Sequence, residues 1–116
     1  MNSIIVNDDF SQRKMFENLI SESENVHLLS SFDSTEEAVA FLYKHKVDLI
    51  FFDIQISDSG SLEFLNAVPK DVFVIFISFL RFKNSKFDLS NQFQKSLNQA
   101  MMYSVNPHKT DDYFVI

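Results

Sequence analysis

The sequence is poor in the residues that build several common kinds of site. It has no cysteine and no tryptophan, and only one glycine and two prolines in 116 residues. The lack of cysteine excludes disulfides and thiolate-bound metals. No glycine-rich loop follows the first predicted strand, which argues against a nucleotide site that cradles phosphates. His27, His45 and His108 share no spacing or acidic partner, which argues against a zinc site.

Long apolar runs and excess positive charge are also missing. No apolar stretch is long enough to span a bilayer, and no basic segment with an apolar run marks a signal peptide. We therefore expect a cytoplasmic protein without a membrane partner. The net charge of −6 argues against this chain binding a nucleic-acid backbone by itself. The chain is rich in phenylalanine, with 14 residues, and this predicts one domain whose core is filled with large rings.

The most informative stretch is the run from Asp48 to Asp53, in which four apolar residues lie between two acids. An unbroken apolar run of this length is typical of a strand buried on both faces, as in the centre of a parallel sheet. In open parallel sheets, ligands bind at the carboxyl ends of the strands. Asp53 is predicted to lie at that end, where packing alone explains a carboxylate poorly.

Strands and helices are predicted to alternate along residues 3–78. The predicted strands are Ser3–Val6, Val26–Leu29, Asp48–Asp53 and Val72–Ile77, and the intervening helices present Met15, Phe16, Leu19 and Ile20, then Ala38, Phe41 and Leu42, then Leu62, Leu65 and Val68. A capping box from Ser34 to Glu37 opens the second helix. This alternation predicts an α/β fold with a doubly wound parallel sheet in three layers, α/β/α.

The alternation breaks after Ser78. The last helix is predicted to start near Asp88 or Ser90 and to end near Met102, and its apolar face consists of Phe93, Leu97, Ala100 and Met101. We expect residues 1–103 to form the domain. Residues 104–116 are expected to hold a linker and the strand-like tail 112–116, the possible beginning of a following output domain.

Four strands would leave the apolar strand 72–77 on an open edge, which invites pairing with another strand. We therefore predict that the tail, or residues 79–87, covers this edge. The tail can do so within one chain or by exchange between two copies in a homodimer.

Polar residues follow three of the predicted strands: Asn7-Asp8-Asp9, Asp53 and Ser78. Clustered carboxylates at the mouth of a sheet repel one another, and a hard cation such as Mg²⁺ relieves that repulsion. An ionised aspartate can also attack phosphorus and form an aspartyl phosphate. The strand ends therefore predict a site for Mg²⁺ and phosphoryl chemistry.

These features resemble the receiver domain of two-component response regulators, which has a flavodoxin-like (CheY-like) fold. The matching stretches are residues 4–9, 47–56, 62–65, 74–78 and 86–100. The resemblance is strongest to regulators with a LytTR-type DNA-binding output. In those, a short linker and a strand similar to residues 112–116 follow the receiver.

The resemblance implies a role for each matching residue. Asp53 corresponds to the phosphoacceptor and Asp8 to the acid that binds Mg²⁺ directly. Gln55 would give its backbone carbonyl to the metal. Ser78 corresponds to the switch hydroxyl and Lys86 to the phosphate-binding lysine. Two further metal ligands are suggested, Asn7 and Asp9, although both are also ordinary turn formers after a strand.

The departures from the family pattern are as specific as the matches. Asn7 replaces an acid, Ser57 replaces a proline, and Phe87 replaces the proline that follows the lysine. The pattern also predicts that the fourth helix and most or all of the fifth strand of the family are missing between Ser78 and Lys86. Lys86 is equally well explained as a surface lysine.

Two functions follow from the resemblance. In the first, a sensor histidine kinase is the partner, Asp53 accepts the phosphoryl group with Mg²⁺, and the receiver switches an output that binds DNA through a downstream domain. Beyond self-catalysed phosphorylation and dephosphorylation, no enzyme activity is expected. The alternative is a degenerate pseudo-receiver that serves as an interaction or dimerisation module without phosphorylation.

Overall fold

A computed structural model describes residues 1–54, 61–77, 86–105 and 113–116. These residues form a parallel five-stranded sheet with strand order β2-β1-β3-β4-β5 and four helices. The strands are β1 (Asn2–Val6), β2 (His27–Phe32), β3 (Leu49–Asp53), β4 (Phe73–Ile77) and β5 (Tyr113–Val115), and the helices are α1 (Phe10–Ser21), α2 (Thr35–Lys44), α3 (Ser61–Ala67) and α4 (Lys86–Val105). The predicted doubly wound α/β fold is confirmed.

Strand β3 lies in the middle of the sheet, as predicted. It pairs with β1 on one side and with β4 on the other, and every residue from Leu49 to Asp53 is buried. Its two phenylalanines point to opposite faces. Phe51 packs against Phe16 of α1 and Phe93 of α4, whereas Phe52 stacks on Phe64 of α3 with ring centroids 5.1 Å apart.

The two faces of the sheet carry separate apolar cores. We call them the α1 face and the α2 face. The α1 face buries Ile5, Phe51 and Ile75 under α1 and α4, and the α2 face buries Ile4, Ile50 and Phe52 with residues of α2 and α3. Alternate residues of each strand enter opposite cores, so both faces of the sheet are covered and the three-layer architecture is confirmed.

Local sequence signals explain where the first two helices begin. The carboxylate of Asp9 accepts a hydrogen bond from the Gln12 amide, and the Ser34 hydroxyl accepts one from the Glu37 amide, as the predicted capping box requires. In the part of α3 whose side chains are described, Phe64 is fully buried, and the sequence pattern did not select it.

Helix α4 is longer than predicted, because it begins at Lys86 and ends at Val105. Phe93, Leu97 and Ala100 are buried against the sheet as predicted. Met101 was wrongly assigned to this face. It is 38% exposed, and the helical repeat instead turns Tyr103 inward, where its hydroxyl donates a hydrogen bond to the Lys70 carbonyl at 2.6 Å.

The tail supplies the strand that the sequence pattern predicted to be missing. Tyr113, Phe114 and Val115 form β5 and pair in parallel with Val74, Ile75 and Phe76. The sheet therefore has five strands rather than four, because a segment beyond the last helix has the β-branched and aromatic composition that pairs with an apolar edge. The predicted cover of the edge by the tail is confirmed. The following output domain stays a prediction.

Candidate functional site

The carboxyl ends of β1 and β3 lie side by side, because the two strands are parallel neighbours in the sheet. The strand register pairs Val6 with Phe52, so that the residues that follow, Asn7 and Asp53, end neighbouring strands. Asp53 is also the partner of Ile77 on β4. Its side chain is only 4% exposed. A buried acid between two strand ends is poorly solvated, and such a carboxylate needs polar or cationic partners.

Asn7 is buried and its side chain is engaged within the protein. Its Oδ1 accepts a hydrogen bond from the Asp9 amide at 2.8 Å, and its Nδ2 donates one to Gln12 Oε1 at 3.1 Å. These contacts fix the sharp turn between β1 and α1. They also use both ends of the Asn7 amide, whereas an acid at this position would bring a negative charge to the strand ends.

Asp8 and Asp9 have different positions in this turn. Asp9 is the N-terminal cap of α1, and its Oδ1 accepts a hydrogen bond from the Gln12 amide at 3.0 Å. A negative charge here is also favoured by the helix dipole. Asp8 follows Asn7 at the end of β1, the strand that pairs with β3, and it is exposed, as is Asp9. The turn therefore assigns Asp9 to the helix cap, and Asp8 is the other acid of this segment.

The structure adds a cation that the sequence reasoning missed. Arg13 Nη1 donates a 2.7 Å hydrogen bond to the Asn7 carbonyl, so the guanidinium lies at the end of β1. Its only sequence signal is its place one turn inside a helix that follows an acidic strand end. A charge-assisted bond of this kind fixes the turn and places a positive charge near the acids.

The donor set fits a magnesium site with few protein ligands. Among the residues that the structure describes, no group of three or more histidine, cysteine or acidic side chains could hold a metal ion. Mg²⁺ does not require such a group, because it keeps several waters and binds through one or two carboxylates. Asp8 and Asp53, from the ends of adjacent strands, are the carboxylates that suit this requirement.

The side chains of three predicted site residues lie outside the described part of the structure. Gln55 and Ser78 lie outside the described residues; Ser78 follows Ile77, the strand partner of Asp53. Lys86 is the first residue of α4, and its side chain is not among those that the structure describes. It precedes β5 in the chain, whereas the resemblance placed it in the segment that follows the fifth strand of the family. Their roles stay predictions.

The family model of the response regulator receiver domain matches residues 4–108 of the sequence, which is most of the chain. The chain belongs to the response regulator receiver family. The match includes β1 from Ile4 onward, strands β2 to β4 and all four helices, and it ends before β5. The strand ends described above are therefore the strand ends of a receiver.

Two sensory transduction proteins named LytT are similar to this receiver. The protein from Bacillus anthracis is 31% identical over 67 residues and that from Bacillus cereus 28% identical over 67 residues. Each alignment covers 58% of this chain and 27% of the relative. The receiver thus matches about a quarter of the length of these relatives.

Solved receiver structures confirm the fold. The response regulatory domain of mrkE from Klebsiella pneumoniae has a TM-score of 0.65 and 26% identity over 88% of this chain and 99% of that one. The isolated receiver domain of RcsB from Salmonella enterica serovar Typhimurium has a TM-score of 0.69 and 15% identity over 100% of this chain and 92% of that one. In the described part of the receiver, no helix is long and apolar enough to cross a membrane.

Proposed function

We propose that Asp53 accepts a phosphoryl group from a sensor histidine kinase and that the receiver thereby switches an attached output domain. The observation that carries this proposal is the position of Asp53, a 4% exposed acid at the carboxyl end of the central strand of a receiver. In the transfer, an Asp53 carboxylate oxygen forms a bond to phosphorus. The bond from phosphorus to the donor breaks, and the donor takes the electron pair.

Mg²⁺ is proposed to be held by Asp8 and Asp53, with the Gln55 carbonyl as a further ligand. When bound, it would neutralise charge on the transferring phosphoryl group. Ser78 and Lys86 are the proposed contacts to that group, and Asn7 and Asp9 support the turn that carries Asp8. The similarity to the sensory transduction proteins named LytT supports a role in signal transduction. We further propose that DNA is contacted through a downstream domain, as the resemblance to LytTR-type regulators implies.

The test is incubation of the receiver with Mg²⁺ and acetyl phosphate, followed by intact mass measurement. The parent should gain one phosphoryl group, and Asp53→Asn should gain none. Asp48→Asn is the matched control, because Asp48 lies just before the first residue of the same strand, at its other end. Asp48→Asn should gain the group as the parent does. A parent that gains no phosphoryl group would overturn the proposal.

The metal site has its own test. Asn7→Asp adds a carboxylate to the strand ends, and we expect it to tighten Mg²⁺ binding by roughly tenfold, which corresponds to about 1.4 kcal/mol. Asp8→Asn should weaken binding by a similar factor. Titration calorimetry gives both affinities. Equal Mg²⁺ affinity in the parent and in both variants would contradict the assignment of Asp8 and Asp53.

One observation favours the pseudo-receiver alternative. Asn7 brings no negative charge, and its amide is engaged by Asp9 and Gln12. In that case the turn would be a structural element only. The same mass measurement separates the two functions, because a pseudo-receiver stays unmodified with Mg²⁺ and phosphodonor while remaining folded.

A further inference from the structure

The connection from β4 through α4 to β5 has an unusual hand. From β1 to β2 the chain steps toward one edge of the sheet, and from β4 to β5 it steps toward the opposite edge. Both connecting helices lie on the α1 face. There the ring of Phe16 on α1 packs edge-on against the ring of Phe93 on α4, with ring centroids 6.0 Å apart. Two parallel crossovers that step in opposite directions with helices on one face have opposite hands.

The other two crossovers identify which hand is the exception. The β2-to-β3 and β3-to-β4 connections step toward the β5 edge with α2 and α3 on the α2 face. They therefore have the same hand as the β1-to-β2 connection. Right-handed crossovers make up about 98% of all such connections. The three that agree are right-handed, and the connection to β5 within one chain is left-handed.

Strand β5 also differs from the other strands in its attachment. It has three residues, whereas β1, β3 and β4 each have five. Tyr113 and Val115 are 51% and 47% exposed on the α2 face. The family match ends at residue 108, before this strand. The strand is thus shorter and more exposed than its neighbours, and it lies beyond the part of the chain that matches the family.

The edge of β4 nevertheless fits this tail closely. Ile116 is 1% exposed in the core of the α1 face, and its amide donates a 2.8 Å hydrogen bond to the Phe76 carbonyl. Phe114 packs against the same core, and the Tyr113 ring meets the Phe76 ring edge-on at 6.1 Å. The tail sequence is therefore the right occupant of the edge, although its route within one chain is disfavoured.

We propose that the β5 strand is contributed by a second copy of the chain, in a homodimer formed by reciprocal strand exchange. The contacts of residues 113–116 are then unchanged, but no crossover connects β4 to the strand beside it and the left-handed constraint disappears. Each copy closes the apolar β4 edge of the other. The seven residues 106–112 span at most roughly 25 Å when extended, which sets the distance over which the tail can reach its partner.

The absence of cysteine allows a direct test by engineered disulfides. Val74 and Tyr113 are Cα partners across β4 and β5, so cysteines at these positions have the spacing that a disulfide needs. Val74→Cys and Tyr113→Cys are prepared as separate single variants, mixed in denaturant, refolded together and oxidised. Strand exchange predicts a disulfide-linked heterodimer of two 13.5 kDa chains.

A matched mixture controls for chance collisions. Val74→Cys is combined with Val105→Cys, whose side chain is 86% exposed at the end of α4 and has no partner position on β4. This mixture should give no more than background linkage. A double variant with both Val74→Cys and Tyr113→Cys gives a further test. Strand exchange predicts that its disulfides link two chains. A disulfide within one chain, with no linked dimer at any concentration, overturns the proposal.

A second measurement does not depend on the cysteine variants folding. Native mass spectrometry of the unmodified chain should show a dimer, and deletion of residues 113–116 should convert it to a monomer. A monomeric parent, or a dimer that persists after the deletion, overturns the proposal. Neither result depends on phosphorylation, so this proposal and the proposed function fail separately.

Discussion

At the scale of single residues, the turn after β1 shows how few atoms decide the character of the site. Asn7 ties its own turn together through Asp9 and Gln12, and Arg13 holds the Asn7 carbonyl. The turn is therefore stable without a metal, because its polar groups already have partners. A receiver with an acid at position 7 would instead have adjacent negative charges that a cation must offset.

A second residue cluster joins α1 to the edge strand β2. Glu17 Oε2 lies 3.0 Å from Lys14 Nζ, and Glu17 Oε1 accepts a 2.8 Å hydrogen bond from the Ser31 hydroxyl. Burial alone would raise the pKa of Glu17. The hydrogen bonds from Lys14 and Ser31, together with the charges of Lys14 and Arg13, outweigh it and lower the pKa below its ordinary value of 4.5.

The lowered pKa predicts a pH-dependent part of the stability. The ionised form of Glu17 stabilises the folded state above about pH 4.5, and this contribution is lost as the pH falls through the lower folded-state pKa. Glu17→Gln should therefore lower the free energy of unfolding at pH 7 by less than about 1 kcal/mol, because the pair is partly solvated. The difference from the parent should shrink at pH 3.

Urea unfolding at both pH values measures this difference. Glu24→Gln, which alters an exposed glutamate in the turn after α1, is the matched control and should leave the free energy of unfolding nearly unchanged at either pH. A gap between Glu17→Gln and the parent that is equal at pH 7 and pH 3 would contradict the assigned role of the carboxylate.

At the scale of elements, α4 packs against both the helix and the central strand that form the α1-face core. Phe93 meets both Phe16 and Phe51, and Leu97 is 1% exposed one turn further on. Phe93→Ala and Leu97→Ala should each lower the free energy of unfolding by roughly 2–5 kcal/mol, through lost burial plus a cavity. Thermal and denaturant unfolding measure the loss.

Met102 offers a control on the same helix, since its side chain is 55% exposed. Met102→Ala should stay within about 0.5 kcal/mol of the parent. If Phe93→Ala and Leu97→Ala unfold together with Met102→Ala, α4 is not docked on the sheet as described.

The elements that the sequence predicted well are those with strong local signals. The unbroken apolar run identified β3 and placed Asp53 at its end, and the spacing of Phe93 and Leu97 identified the buried face of α4. Phe64 was missed because α3 has only seven residues, too few to define a face by periodicity. Arg13 was missed because an arginine on a polar helix face carries no distinguishing signal.

At the scale of the whole molecule, the sequence predicted that the apolar edge of β4 is covered, but it named two segments that could cover it. Strand pairing is a long-range contact, and the local composition of residues 112–116 indicates a strand without fixing its neighbour. The choice of the tail over residues 79–87, and the parallel register of β5 on β4, therefore came from the structure. The hand of the last crossover is also invisible in sequence, because it depends on which face α4 covers.

The burial of β3 on both faces, with paired neighbours on both sides, has a consequence for local opening. Its backbone amides can meet water only when the whole domain unfolds, so amide hydrogen exchange of Leu49–Phe52 should be the slowest in the molecule. The amides of residues 113–115 sit at an edge and should exchange much faster. Exchange monitored by mass spectrometry or NMR would show this gradient, and uniform protection across the sheet would contradict it. Asp53 is therefore carried on the strand that we expect to open last.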